Sequence, residues 1–312
     1  METFNVLTFK RLHFIRCDNV LHSRSRREAE SPANEGMMPE ERIQKIIARS
    51  GLCSRRDADQ MIAEGRVTVD GREAKLGEKA DPGTAHIKVD GRSLKAPEAF
   101  RYLLLYKPRG VMTTCDDPGE RKTVLDLVRP VVRERVYPVG RLDYHSEGLL
   151  ILTNDGELAA RVAHPRYGVV REYLVRIRGD LTTPEYHKLM RGTEVDGRYV
   201  KPLRSQRDSK ARGGKSTWWR VEVTEGRTHE VRELFFKAGH PVQRLRRTAI
   251  GPLRDDSLKP GDFRTITESE LKALRRATAN SKQPPKSISR SRGRRKPTPA
   301  RGSRARGSRN RR

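Results

Sequence analysis

The 312-residue chain is poor in the features that build disulfide-rich, zinc-bound or membrane-spanning proteins. Its three cysteines, Cys17, Cys53 and Cys115, include no Cys-x-x-Cys pair, which argues against a disulfide framework and a structural zinc site. No stretch approaches the roughly 18 apolar residues of a spanning helix, and the mean hydropathy is −0.82. Composition therefore excludes a membrane protein and indicates a reducing compartment, which we expect to be the cytoplasm.

Acidic residues are also in the minority, with 40 Asp and Glu against 67 Lys and Arg, so the net charge is +27. This excess indicates a polyanionic partner, most simply a nucleic acid. Residues 281–312 hold 13 of the cations and no acid, and are predicted to be a disordered Arg-rich tail. Residues 1–38 lack the apolar core of a secretory signal. We expect a non-domain extension there, or an upstream start before Met37 or Met38; a transit peptide is the less supported alternative.

Residues 39–95 are predicted to form a small domain of two helices followed by short strands. Isoleucines recur at helical spacing within 41–50, and Ser54 with Asp57 has the pattern of a capping box that opens a second helix. Two apolar runs then end in Asp-Gly turns, which is typical of β-hairpins. Cations cluster around the start of the second helix, and by charge alone they are either a solvated helix end or a nucleic-acid contact: Arg49, Arg55, Arg56, Arg66 and Lys75.

Residues 101–275 are predicted to form a larger α+β domain with a largely antiparallel mixed sheet. Continuous apolar runs predict buried strands, and alternating segments predict half-buried ones: 102–106 and 149–153, then 172–177 and 219–223. Helices are predicted at 157–164 and 230–238, and after the start signals at 183–185 and 267–270. Since a regular βαβ rhythm and a Gly-x-Gly-x-x-Gly loop are both missing, a doubly wound nucleotide-binding fold is disfavoured.

One loop draws attention as a candidate site. The eight histidines have no metal-binding spacing, and neither a catalytic-serine elbow nor a phosphate loop occurs, so we expect no metal and no cofactor. Asp143 lies in a Gly-bounded loop before a buried strand, two residues after Arg141. A loop carboxylate beside an arginine suits a nucleophile acting near phosphates. An Asp at such a position is also the usual turn residue that bonds its own backbone, and the pattern alone leaves both interpretations open.

The run Gly-Arg-Leu-Asp-x-x-x-x-Gly-Leu-Leu-Ile-Leu-Thr-Asn-Asp-Gly, residues 140–156, resembles the hallmark of the RsuA/RluB family of pseudouridine synthases. Segments 106–110, 171–175 and 225–234 resemble the family's other motifs. The small domain likewise resembles the RNA-binding module named after a small-subunit ribosomal protein, the S-four domain, in which the basic start of the second helix docks on structured RNA. The resemblance covers about residues 40–275 and implies an rRNA pseudouridine synthase that carries this module.

The resemblance also implies roles for individual residues. Asp143 would be the nucleophile, Arg232 its charged partner, and Tyr173 the ring that stacks on the extruded base and helps remove its proton. Arg141 would fill the space of the flipped nucleotide or clamp its phosphate. The remaining expected substrate contacts are basic residues: Lys107, Arg171, Arg227, Arg49, Arg55, Arg56 and Arg66. For Lys107 and Arg227, the alternative is an ordinary surface cation. Whether attack falls on the ribose or the ring, or starts an elimination, stays open.

Two departures from the family lie beside this site, Arg171 in place of Lys and Thr228-His229-Glu230 in place of a more basic or Gln-containing triplet, and we expect them to affect RNA preference. Residues 110–127 are more similar to the RluB branch, which acts on 23S rRNA of the large subunit, than to the RsuA branch, which acts on the small subunit. A non-catalytic ribosome-assembly factor is the alternative from another class; the four residues Asp143, Tyr173, Arg232 and Arg141 favour an enzyme. The expected partner is rRNA or a pre-ribosomal particle, without a membrane or protein partner, and the chain is expected to be a monomer.

Overall fold

The computed structural model describes residues 39–209, 215–226 and 229–279. The predicted extension at 1–38 and the predicted tail at 281–312 lie outside them. None of the helices in these three ranges is long and apolar enough to cross a membrane.

A first group of elements packs around one apolar core in the N-terminal part. In chain order they are β1 (Glu41–Arg42), α1 (Ile43–Arg49), α2 (Arg55–Ala63), β2 (Val67–Val69), β3 (Arg72–Glu73), β4 (Lys79–Ala80), β5 (Ile87–Val89) and β6 (Arg92–Ser93). The capping box is confirmed: the Asp57 N–H donates to Ser54 Oγ at 3.2 Å, and the Ser54 N–H donates to the Asp57 carboxylate at 3.0 Å. The first helix begins two residues later than predicted, because Glu41 and Arg42 pair with β4.

The larger C-terminal part is built on a nine-stranded sheet. Its elements are β7 (Tyr102–Lys107), β8 (Tyr137–Pro138), β9 (Glu147–Thr153), α3 (Gly156–Ala163), β10 (Arg171–Arg178), α4 (Thr183–Arg191), β11 (Thr193–Val195), β12 (Arg198–Val200), β13 (Arg204–Arg207), β14 (Ser216–Val223), α5 (Glu230–Lys237), β15 (Val242–Ile250), β16 (Leu253–Arg254), β17 (Phe263–Thr265) and α6 (Glu268–Ala279). The main strand order is β13-β14-β10-β15-β9-β7-β17. These pairings are antiparallel except for β9 with β15, so the predicted α+β fold with a largely antiparallel mixed sheet is confirmed.

Strand β15 at the centre of this sheet was not predicted from the sequence. It pairs with β10 on one side and with β9 on the other. The parallel contact with β9 is unusually close at Gly148, where an added Cβ would lie 2.2 Å from the carbonyl oxygen of Arg247. Gly148 has φ +113°, a conformation that favours glycine. The strand that follows the Asp143 loop is therefore locked against β15.

Apolar clusters pack against both faces of the sheet, and a cleft is left on one face. Helices α4 and α5 cover β10, β14 and β15 on that face. Residues 111–136 cover β7 and β9 on the same face, while α3 and α6 cover the opposite one. The cleft opens between these two coverings, at the end of the sheet where the Asp143 loop enters β9.

Candidate active site

A buried ammonium group holds the loop that carries Asp143. Lys107, at the end of β7, is fully buried, and its Nζ donates to the carbonyl oxygens of Ser146 at 2.9 Å, Pro108 at 3.0 Å and Asp143 at 3.1 Å. Burial lowers the pKa of Lys107 to about 8, with the Asp143 carboxylate opposing the shift. The prediction that Lys107 contacts phosphate is therefore wrong, because all three of its donors are directed to the backbone that positions Asp143.

Two basic side chains and one hydroxyl surround the Asp143 carboxylate. Arg232 Nε lies 3.5 Å from Oδ2, and His229 Nε2 lies 3.5 Å from Oδ1. The buried Ser146 hydroxyl bridges Arg232 and Asp143: it accepts from Arg232 Nη2 at 3.1 Å and donates to Asp143 Oδ2 at 3.3 Å. The Asp143 side chain nevertheless stays 30% exposed. The carboxylate is thus oriented from two sides and open to the cleft.

Helix α5 brings Arg232 and His229 to this position. Val231, Leu234 and Phe235 bury one side of the helix in the core, which leaves Arg232 at its edge facing the Asp143 loop. His229 is the residue before the helix and has φ 57°, a left-handed conformation that is uncommon outside glycine. Sequence reasoning noted His229 only as a family departure and missed Ser146, although Ser146 lies inside the hallmark motif.

The rest of the cleft wall comes from the sheet. Tyr173 on β10 is 7% exposed and lines the cleft together with Leu245 and Arg247 of β15. Arg141 lines the mouth of the cleft with an exposed side chain. The structure therefore brings Asp143, Arg232, Tyr173 and Arg141 into one site. Arg227, which was predicted to contact phosphate, lies outside the described residues.

Arg171 is also one of the residues that line the cleft, and its guanidinium is bound by backbone carbonyls. The residue is 7% exposed, and its terminal nitrogens donate to the carbonyl oxygens of Val162 at 2.8 Å and Thr224 at 3.0 Å, among others. Burial lowers its pKa from the ordinary arginine value. This side chain ties α3 to the end of β14, and its contact with the substrate stays a prediction.

The cations of the N-terminal part differ in how far they are neutralised. Arg49 pairs with Glu41 at 3.4 Å, and Arg66 pairs with both Asp90 and Glu64. Arg55 and Arg56 are exposed and have no ion pair within the described part of the chain. A Cβ added at Gly156 would lie 3.0 Å from a terminal nitrogen of Arg55, so this side chain reaches the start of α3.

The described ranges contain no group of three His, Cys, Asp or Glu side chains that could hold a metal ion. The acid, the arginine and the aromatic ring in one cleft, beside a small separate unit with exposed arginines, fit an enzyme that acts on nucleic acid. Comparison with known proteins makes this assignment specific. Residues 101–237 match the family model for RNA pseudouridylate synthase, and residues 41–86 match that for the S4 domain.

The chain is 41% identical over 244 residues to an RNA pseudouridine synthase of Aquifex aeolicus, covering 77% of this chain and 96% of that relative. It is 38% identical over 236 residues to the ribosomal large subunit pseudouridine synthase B of Bacillus subtilis, covering 75% of this chain and 96% of the relative. A crystal structure of a pseudouridylate synthase is similar with a TM-score of 0.53 at 26% identity, over 75% of this chain and 99% of that one. The chain belongs to the RNA pseudouridine synthase family, and its N-terminal module is an S4 domain.

Proposed function

We propose that this protein converts a uridine of large-subunit ribosomal RNA into pseudouridine, with Asp143 as the nucleophile and without a cofactor. The observation that carries the proposal is the oriented but open carboxylate of Asp143, between Arg232 and His229 in the cleft that Tyr173 lines. The choice of large-subunit RNA is supported by the name of the Bacillus subtilis relative and its match along nearly its whole length.

The reaction suits a site of this composition. The bond between ribose and the ring nitrogen breaks, a bond from the ribose to carbon five forms, the proton leaves carbon five, and the ring nitrogen gains one. Atoms and oxidation level are unchanged, so the chemistry calls for a nucleophile, oriented charge and a proton acceptor rather than a redox group. Arg232 and His229 orient the carboxylate, and Tyr173 stacks on the extruded base.

Asp143→Asn tests the nucleophile. An amide cannot supply the attacking carboxylate, so tritium release from RNA labelled at carbon five of uridine should fall by at least about 10⁴-fold, the scale of losing a covalent nucleophile. RNA affinity should change little. Asp116→Asn, an exposed aspartate outside the cleft, is the matched control and should keep full activity. Release by the Asp143 variant within tenfold of the wild type would reject the assignment.

The RNA target is tested separately, by mapping pseudouridines in rRNA from cells that lack the gene. We expect one large-subunit site to be lost and then restored by the wild-type gene but not by the Asp143→Asn gene. Loss at a small-subunit site instead would favour the RsuA-type alternative.

A further inference from the structure

Arg247 is a buried cation of the cleft whose hydrogen bonding is incomplete. It is 3% exposed and lines the same cleft as Asp143. Its Nε donates to the carbonyl oxygen of Leu149 at 2.7 Å, while its Nη2 is enclosed and has no hydrogen-bond partner among the described residues. Buried donors are nearly always paired, since an unpaired one carries a large desolvation penalty. An unpaired donor of a residue that lines a cleft is a candidate contact for a ligand that carries an acceptor.

The other two buried cations of this region behave differently. Lys107 directs its ammonium group to three backbone carbonyls, and Arg171 directs its terminal nitrogens to carbonyls as well. Both serve the framework. Arg247 has the same degree of burial, yet only its Nε is used in this way.

The position of Arg247 is tightly defined. It lies directly opposite Tyr173 in the pairing of β10 with β15, next to a register shift between Glu172 and Tyr173. On its other side it pairs with Gly148 of β9, at the close approach that only glycine allows. Register shifts next to active sites commonly re-aim a side chain. Here the arrangement places Arg247 directly across from Tyr173, the residue on whose ring the extruded base is expected to stack.

We propose that Arg247 binds the uracil base by donating a hydrogen bond to one of its ring carbonyl oxygens; this inference rests on the proposed function. With so little exposure, Arg247 meets only a flat group that enters the cleft fully, which is the base rather than a hydrated phosphate. The acceptors on the edge of uracil are O2 and O4. A contact to O4 also selects against cytosine, which carries an amino donor at that position, because two facing donors are left unpaired.

The experiment crosses a change in the enzyme with a change in the RNA. Single-turnover rates are measured for an rRNA hairpin whose target is uridine, 2-thiouridine or 4-thiouridine, with wild type and Arg247→Lys. Affinities are measured in the Asp143→Asn background. Arg246→Lys is the matched control. Arg246 is the residue before Arg247, and its side chain binds Glu147 on the other face of the sheet.

If Arg247 contacts a carbonyl, sulfur at that position weakens wild-type binding or rate about tenfold or more, and sulfur at the other position does not. Arg247→Lys shows a similar loss of binding or rate on uridine RNA. In this variant, the thio-substitution that affects the wild type changes binding or rate by less than a further threefold. Arg246→Lys behaves as wild type. Sensitivity at O4 rather than O2 identifies the oxygen.

Additive losses, with the same thio-effect in both enzymes, would show that Arg247 is only structural and overturn the inference. If the variant does not fold, the wild type alone decides: less than a twofold effect from both thio-substitutions rejects a contact to either carbonyl. Wild-type inactivity on every hairpin would instead count against the proposed rRNA function.

Discussion

Asp143 and Glu147 are carboxylates only four residues apart, yet the structure treats them in opposite ways. Glu147 is 3% exposed and accepts short hydrogen bonds, from Arg244 Nε at 2.9 Å and from Arg246 Nε at 3.1 Å. Asp143 is ten times more exposed, and its two basic neighbours stay at 3.5 Å. Glu147 accepts three hydrogen bonds from two arginines and stabilises the sheet, whereas Asp143, whose basic neighbours lie at longer range, stays open to the cleft.

The largest expected effect on the difference between Asp143 and Glu147 comes from removing Arg232, the arginine beside Asp143. Arg232→Leu should reduce the single-turnover rate by about 10²–10³-fold, the usual loss when one preorganised charged donor is removed from an active site. RNA affinity should change less than threefold. Arg232→Lys is the matched variant; it keeps the charge but cannot reach both Asp143 and Ser146, and should recover only part of the rate. A loss that lies mainly in affinity would mean that Arg232 binds RNA instead.

Removing the charge of the other carboxylate should affect folding first. Glu147→Gln leaves Arg244 and Arg246 without their acid, and should lower the free energy of unfolding by about 3 kcal/mol, as for a broken buried ion pair. Asp143→Asn should change it by less than about 0.5 kcal/mol. Urea unfolding of both variants checks this. Similar stability losses in the two would remove the distinction between the carboxylates.

The stabilisation by Glu147 should also depend on pH. Burial alone raises the pKa of this carboxyl, but the hydrogen bonds from Arg244 and Arg246 outweigh it, and the net pKa lies below the ordinary value. For an acid with a lowered pKa in the folded state, the stabilisation is complete above the unfolded pKa, about 4.3, and is lost as the pH falls below it. The Gln variant should therefore lose less stability than the wild type between pH 5 and pH 3.

Local patterns predicted the main helices and four of the nine strands of the large sheet, and the central strand that they missed is informative. The apolar run of β9 and the capping boxes are visible in the sequence because each is set by neighbouring residues. Strand β15 is not visible, because Arg244, Arg246 and Arg247 interrupt its apolar pattern. Two of these arginines are neutralised by Glu147, nearly a hundred positions away, so the strand depends on a contact that no local window contains.

Prediction of the site from the sequence is limited in the same way. Asp143 and Arg232 came from a family resemblance and not from spacing, since the fold joins segments far apart in the chain. Lys107 and Arg171 were predicted to contact the substrate, but both side chains are buried. Their acceptors are backbone carbonyls, which every residue carries and no sequence pattern displays. The contacts of Ser146 and His229 with Asp143 were missed for a related reason: they exist only once the fold has brought Arg232 and its helix to the Asp143 loop.

Ser146 lies between Asp143 and Glu147 in the sequence, and its hydroxyl provides a finer test of how the Asp143 carboxylate is oriented. Ser146→Ala removes the hydroxyl that bridges Arg232 to Asp143, and should lower the single-turnover rate about tenfold, a typical value for one hydrogen bond. Ser146→Thr keeps the hydroxyl and should restore most of the rate. RNA affinity should be unchanged in both. Equal defects in the Ala and Thr variants would point to packing rather than to the bridge.

The smallest effect concerns the ammonium group beneath the loop. Above about pH 8, Lys107 loses a proton, so one of its three carbonyl contacts loses its donor and the Asp143 loop loosens. The rate should then fall a few-fold. Stability should move the other way: the folded pKa lies below the unfolded value of about 10.4, so the unfolded state binds more protons between these values and the free energy of unfolding rises with pH.

Rates and urea unfolding of wild type and Lys107→Met, measured from pH 7 to pH 9.5, separate this effect from ionisation of the RNA, which acts on both proteins alike. The Met variant should be slower at neutral pH, because the three carbonyls lose their donor, and should show neither the alkaline fall in rate nor the rise in stability. The same alkaline fall in both proteins would place the titrating group elsewhere. The Asp143 loop would then be held by its backbone geometry and not by the charge of Lys107.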